Sequence, residues 1–221
     1  MIDLLFPKIC QGCETVLHQA EEVLCIFCQS QLAVIAHHRS GDPRMKMLFY
    51  GRLRLHYATA LLRFEKKGIT QALLHRLKYK GQQQIGSYFG KWLGSELAGS
   101  KEHAKIDLVV PVPLHPRKKR KRGYNQVDRF GSQIASALGA AYCPRLLKRR
   151  GQKRTQVFRS RSSRIMDEST FQLNTADTLS GKHVLLVDDL ITTGMTAELC
   201  GRTIWQLKPA SLSLATIAIA S

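Results

Sequence analysis

His183-Val184-Leu185-Leu186-Val187-Asp188-Asp189-Leu190-Ile191-Thr192-Thr193-Gly194-Met195-Thr196 is the stretch whose reading decides the fold. Val184 to Val187 are apolar without alternation, the pattern of a strand buried on both faces of a parallel sheet. After the glycine, Ala197, Leu199, Cys200, Ile204 and Leu207 mark a helix that runs toward Pro209. The order is therefore strand, acidic pair, glycine-containing turn, helix. Ligands of a parallel sheet gather at the carboxyl ends of its strands, where Asp188 to Thr196 would lie.

The residue types suit a phosphorylated sugar. Amides and hydroxyls of Thr192, Thr193, Gly194 and Thr196 can wrap a terminal phosphate at the helix N-terminus, where partial positive charge and free N–H groups favour an anion. Two adjacent carboxylates cannot hold a phosphate. They can accept hydrogen bonds from a vicinal diol or help to position magnesium, so Asp188 and Asp189 beside the cradle point to a phosphorylated ribose. A buried strand followed by an ordinary cap would explain one acid and one threonine but not the whole order.

Working outward, Ile106 to Val112 reads as a second buried strand closed by Pro113, followed by a loop in which Arg117 to Arg122 are six consecutive basic residues. A helix should follow, with Asn125 as its N-cap, Asp128 at the third position and Gly139 at its end. Tyr57 to Phe64 reads as a strand, Thr70 as the cap of a helix ending at Lys78-Tyr79-Lys80-Gly81, and Gly86 to Leu97 as another helix. The fold class is α/β, a parallel sheet flanked by helices. Gly86 to Trp92 is no phosphate loop, since its spacing is short and the magnesium-binding Ser or Thr is missing.

Four of the six cysteines form two Cys-x-x-Cys pairs, Cys10 with Cys13 and Cys25 with Cys28. Four thiolates in two tight turns make a closed, structural zinc site, with Gly12 relaxing the first turn. A module this small needs the metal for its folding energy. The Gly41-Asp42-Pro43 turn marks its limit, giving a four-cysteine zinc knuckle over 1–40 and an α/β domain over 41–221. His37 and His38 do not fit the ligand spacing and read as surface residues. Cys143 and Cys200 read as packed thiols.

The chain of 221 residues carries 34 Lys and Arg against 16 Asp and Glu, a formal charge of +18. Such a field draws polyanions, whether phosphorylated small molecules or nucleic acids. The second basic stretch, Lys148-Arg149-Arg150 with Lys153-Arg154, could track a nucleic-acid backbone or be solvated charge, with Tyr124, Tyr142 and Phe158 as scattered aromatics nearby. Met1 to Pro7 lacks the features of a secretory signal and no apolar run approaches a bilayer span, so no membrane insertion and a cytoplasmic location are expected. Reduced thiols in that compartment agree with the zinc reading.

The acidic segment resembles the PRPP-binding motif of type I phosphoribosyltransferases (PRPP is phosphoribosyl diphosphate). That resemblance implies a type I phosphoribosyltransferase-like domain in which Asp188 and Asp189 hold the ribose hydroxyls and Thr192, Thr193, Gly194, Met195 and Thr196 the 5′-phosphate. The cysteine pairs, Leu77-Lys78-Tyr79, Val110-Pro111-Val112-Pro113-Leu114-His115-Pro116-Arg117, Arg122-Gly123-Tyr124-Asn125-Gln126, Arg154-Thr155-Gln156 and the acidic motif occur in an order that resembles the ComF family of competence proteins. The resemblance implies a role in DNA uptake and natural transformation through single-stranded DNA, with competence-machinery proteins as further partners. If the chain is catalytic, pyrophosphate leaves ribose C1 with magnesium present, and Arg117, Arg122 and Lys78 receive it, beside Tyr124, Asn125 and Gln126. The alternative function is an active phosphoribosyltransferase of nucleobase or nucleoside metabolism, its acceptor unnamed by any residue.

Overall fold

In the computed structural model, residues 7–100, 105–151, 168–174 and 177–220 are described. Arg154-Thr155-Gln156, Lys153, Phe158 and Met1 to Phe6 lie outside them. The strands are β1 (Ala58–Phe64), β2 (Leu108–Pro111), β3 (Ala141–Tyr142), β4 (Leu147–Arg149), β5 (Phe171–Leu173), β6 (His183–Ile191) and β7 (Ser211–Ala220). The helices are α1 (Ile26–Ser30), α2 (His37–Ser40), α3 (Arg44–Met47), α4 (Ile69–Tyr79), α5 (Gln84–Ala98), α6 (Pro116–Arg122), α7 (Asp128–Leu138) and α8 (Met195–Trp205).

Five strands form one parallel sheet in the order β1-β7-β6-β2-β3, and β4 pairs with β5 in a separate antiparallel ribbon. The apolar run that predicts two-sided burial has it. Val184 and Leu186 pack with Ala197, Cys200 and Ile204 of α8, while Leu185 and Val187 pack with Leu77, Phe89, Phe130 and Ile134 of α4, α5 and α7. The sheet is therefore covered on both faces, and β6 carries its last residues to an edge where helices begin. Among the described residues no helix is long and apolar enough to cross a membrane.

Several local expectations are corrected. Arg117 to Arg122 form a helix rather than a loop: Pro116 opens it, the His115 ring accepts the Arg117 N–H at 3.2 Å, and Gly123 at φ +84° ends it. Asn125 does not cap α7. Its side-chain amide donates to the Val112 carbonyl at 3.0 Å and pins the turn to the end of β2, while Asp128 opens the helix and accepts from the Tyr142 hydroxyl at 2.8 Å. Thr70 lies buried inside α4, which starts after Gly68 without a side-chain cap. Gly139 ends α7 as expected, at φ +64°.

His37 and His38 are not surface residues. The His37 ring accepts the Ala60 N–H at 3.3 Å; His38 bridges the Thr59 hydroxyl at 2.9 Å and Glu96 of α5 at 2.5 Å. Both imidazoles have pKa values pushed down by burial. These two residues fasten the end of the 1–40 segment to β1 and α5. Spacing arithmetic treats a histidine off the ligand pattern as surface, and cannot see that a neighbouring carboxylate and threonine offer it buried partners.

Candidate functional site

At its carboxyl end β6 delivers the acidic pair, both residues buried. The Asp188 carboxylate accepts the Asp189 N–H at 2.8 Å. Burial, and then the neighbouring Asp189 charge, push its pKa well above the usual carboxylate range. Asp188 also lies close enough to Cys200 of α8 that its charge, after burial, raises that thiol. Asp189 faces a cation and an amide instead. The Lys78 ammonium, at the end of α4, lies 2.6 Å from Asp189 Oδ2, and the Gln126 side-chain amide approaches Oδ1 at 3.4 Å. Lys78 reaches Oδ2 as a charge contact, leaving that oxygen buried without a well-directed hydrogen bond. Gln126 in turn accepts from Arg122, and the Tyr124 hydroxyl donates to the Leu77 carbonyl, tying the turn after α6 to the end of α4.

Beyond the pair, Thr192 and Thr193 are exposed and Gly194 takes φ +75° to cap α8. Glycine is required there twice over. Its conformation is left-handed, and a Cβ would stand 2.7 Å from the buried Phe49 ring. Arg52 holds the same turn from the other side, donating to the Thr193 carbonyl at 3.1 Å. It also pairs with Glu198 in the first turn of α8 at 2.5 Å, and Arg202 meets Glu198 at 2.9 Å. Glu198 would repel an anion at this helix terminus; the two guanidinium groups offset it. The turn is thus shaped, and its electrostatics set, by the segment that follows α3.

The four knuckle sulfurs lie within 4.8 Å of one another. Cys13 and Cys25 sulfurs are 3.6 Å apart. A zinc tetrahedron with bonds of about 2.3 Å separates its sulfurs by about 3.8 Å, so the set fits the metal. The backbone already favours thiolates. N–H groups of Gly12 and Cys25 point at the Cys10 sulfur, both at 3.3 Å, and that of Cys28 at the Cys25 sulfur at 3.4 Å. Burial raises Cys10, yet these amides leave its pKa lowered; the Thr15 hydroxyl and N–H bring exposed Cys13 down to about 6. Burial pushes Cys28 up. Gly12 is needed for space rather than for turn flexibility, because a Cβ would stand 2.6 Å from the Cys28 sulfur.

No family model matches the chain. It is 27% identical to Competence protein F of Haemophilus influenzae over 85% of this chain and 80% of that protein. It is 25% identical to Competence protein ComFC of Bacillus subtilis over 95% of this chain and 83% of that one. The chain is thus similar to the ComF competence proteins along most of its length. DNA utilization protein YhgH of Salmonella typhi is 30% identical over 56% of each chain, so the match spans little more than half of that relative's length. Similar solved structures are a Bacillus subtilis glutamine PRPP amidotransferase bound to ADP and GMP (18% identity, TM-score 0.42, 65% of this chain and 30% of that one) and an adenine phosphoribosyltransferase (23%, 0.39, 67% and 75%). The fold class rests on the sheet order and its helical layers, described above.

Of the residues that the ComF resemblance singles out, the structure gathers Asp188, Asp189 and Lys78 directly, and Arg122 through Gln126. Thr192 to Thr196 follow on at the start of α8. Arg117 is exposed on α6, outside the group of side chains drawn to the acidic pair. Phe49 and Arg52, which shape the turn, are absent from the sequence reading. Glu198 is the one signal that could have found Arg52, since an acid in the first turn of a proposed anion site calls for a compensating cation.

Proposed function

We propose that this chain binds PRPP with magnesium at the carboxyl end of β6 and serves DNA uptake in natural transformation by handling single-stranded DNA. One observation carries the binding half: the buried acidic pair closes β6 just before a glycine turn that opens α8, with Lys78 and Gln126 already drawn to Asp189. In this reading Asp188 and Asp189 accept hydrogen bonds from the ribose hydroxyls, and Thr192, Thr193, Gly194, Met195 and Thr196 hold the 5′-phosphate. Lys78 and Arg122 face the pyrophosphate, with Arg117 brought in from α6. Magnesium, when bound, supplies neutralising charge to the pyrophosphate. Lys78 then acts as a resident counter-ion that gives way on Asp189, which keeps the carboxylate tolerable while the site is open.

The DNA half is supported by the names of the relatives and by the charge of +18. Residues 1–40 form the zinc knuckle, a structural element holding one metal through Cys10, Cys13, Cys25 and Cys28, and 41–221 the phosphoribosyltransferase-like domain. The cytoplasm is the compartment where PRPP and reduced thiols coexist. Competence-machinery proteins complete the proposed partners.

Pyrophosphate release from PRPP, measured with nucleobases, nucleosides and single-stranded DNA, separates this function from its alternative. No turnover together with DNA binding that survives Asp188→Asn plus Asp189→Asn is the expected result. Sustained turnover with a nucleobase or nucleoside would assign an active transferase instead.

A further inference from the structure

The outer face of α4 carries an aromatic pair set among cations, and the sugar-phosphate site does not use the pair. His75 and Tyr79, one helical turn apart, stand with ring centroids 4.9 Å apart and tilted by 43°. Tyr79 is 65% exposed, so its ring gains little from packing. The Arg122 guanidinium lies 5.3 Å from the Tyr79 centroid. Beside the pair runs a groove of about 690 Å³ between α4 and the knuckle, where Lys67, Arg76 and Lys80 supply the charge and Gln71 part of the wall. Glu14 is the acid of that groove, and Arg76 holds it at 2.5 Å. Lys67 and Lys80 stay exposed.

A ring pair at i and i+4 is common on helices, and its usual purpose is packing. Exposure argues against that purpose here. Exposed rings set among cations are what an unpaired nucleic acid requires: a π-face for each base and positive charge for the backbone. An acidic peptide would use the cations but leave the rings idle, and a duplex hides the base faces.

Resting on the DNA-handling reading above, we propose that this face of α4 is the seat of a single-stranded nucleic acid. Bases stack on Tyr79 and His75, and Lys67, Lys80 and Arg122 meet the phosphates. The strand then continues onto α6, which ends at half-buried Arg122 and exposes its basic residues Arg117 to Lys121. Arg122 also donates to Gln126, the neighbour of Asp189, so the strand would lie against the rim of the sugar-phosphate site.

The test is fluorescence anisotropy with labelled single-stranded DNA, single-stranded RNA and duplex DNA, with polyglutamate as competitor, and thermal melting to confirm that each variant folds. Tyr79→Ala should weaken single-strand binding about 5- to 100-fold, and Tyr79→Phe should keep it within about twofold. Lys67→Ala with Lys80→Ala should lower the log–log salt slope by about 1.4. Tighter binding of either single strand supports the surface, since DNA and RNA present the same base faces and phosphates. The surface is overturned if folded Tyr79→Ala and His75→Ala bind like wild type while Lys118→Ala with Lys119→Ala and Lys121→Ala does not, or if duplex or polyglutamate binds equally well. A wild-type protein that binds no single strand at all overturns the surface and the DNA-handling reading together.

Discussion

The knuckle and the acidic pair are two polar sites pressed against the same hydrophobic cluster, and they are built in opposite ways. Cys10 and Cys28 are buried beside Leu73, Leu74 and Leu77, the same α4 residues that back Lys78. Yet all four sulfurs come from residues 10–28, and neighbouring backbone amides orient those of Cys10, Cys13 and Cys25. The acidic pair is completed by Lys78, Gln126 and Arg122 from distant elements, and its turn is held by Phe49 and Arg52. A site made locally depends on its metal; a site made by assembly depends on the whole fold.

Metal removal should give the largest effect and the sharpest contrast. A structural zinc contributes on the order of 10 kcal/mol in small modules. Chelation, or Cys10→Ser with Cys13→Ser, should release zinc and strip hydrogen-exchange protection from the knuckle while β6 and β7 keep theirs. Equal loss in the sheet would break the contrast. Phe49→Ala comes next, because Phe49 is fully buried. It should cost about 3–5 kcal/mol in denaturant unfolding and weaken PRPP binding by loosening the Gly194 turn, with zinc content unchanged.

Asp188→Asn should act in the other direction on stability. The folded-state pKa of Asp188 is raised above its unfolded value of about 3.9. Its contribution is therefore fully present below that pH and is lost as pH rises through the raised value. At neutral pH the neutral amide should stabilise the chain by about 1 kcal/mol, or ~2–4 °C in Tm, while PRPP binding falls. Melting curves across pH check it; a variant with the wild-type pH slope would contradict it. The smallest effect belongs to Lys91→Ala. Lys91 meets Glu22 of the knuckle at 3.2 Å with both side chains more than half exposed, and its loss should leave the unfolding midpoint in place.

Legibility in the sequence follows the same division. Cys-x-x-Cys spacing, the unbroken apolar run Val184 to Val187 and the glycine at Gly139 each encode local geometry, and each is found where expected. Local signals also mislead when a tertiary partner outcompetes them. Asn125 has the chemistry of a cap, but the Val112 carbonyl takes its amide. Arg117 to Arg122 read as a loop because they follow a strand closed by Pro113, yet Pro116, the His115 ring and Gly123 supply a start and a stop for one short helix. His37 and His38 needed Ala60, Thr59 and Glu96, none of them near in sequence. Phe49 is invisible for the same reason, since nothing in its own neighbourhood says that the chain returns to Gly194, and Arg52 is signalled only by distant Glu198.

The most direct measurement is a calorimetric titration of PRPP, with and without magnesium, into the wild-type protein, Asp188→Asn and Asp189→Asn. Wild type should bind with magnesium-dependent heat, and each variant should lose at least about tenfold in affinity, the worth of a hydrogen bond to a charged group. Equal binding by all three proteins, or no heat from the wild type, would contradict a sugar-phosphate site at the end of β6.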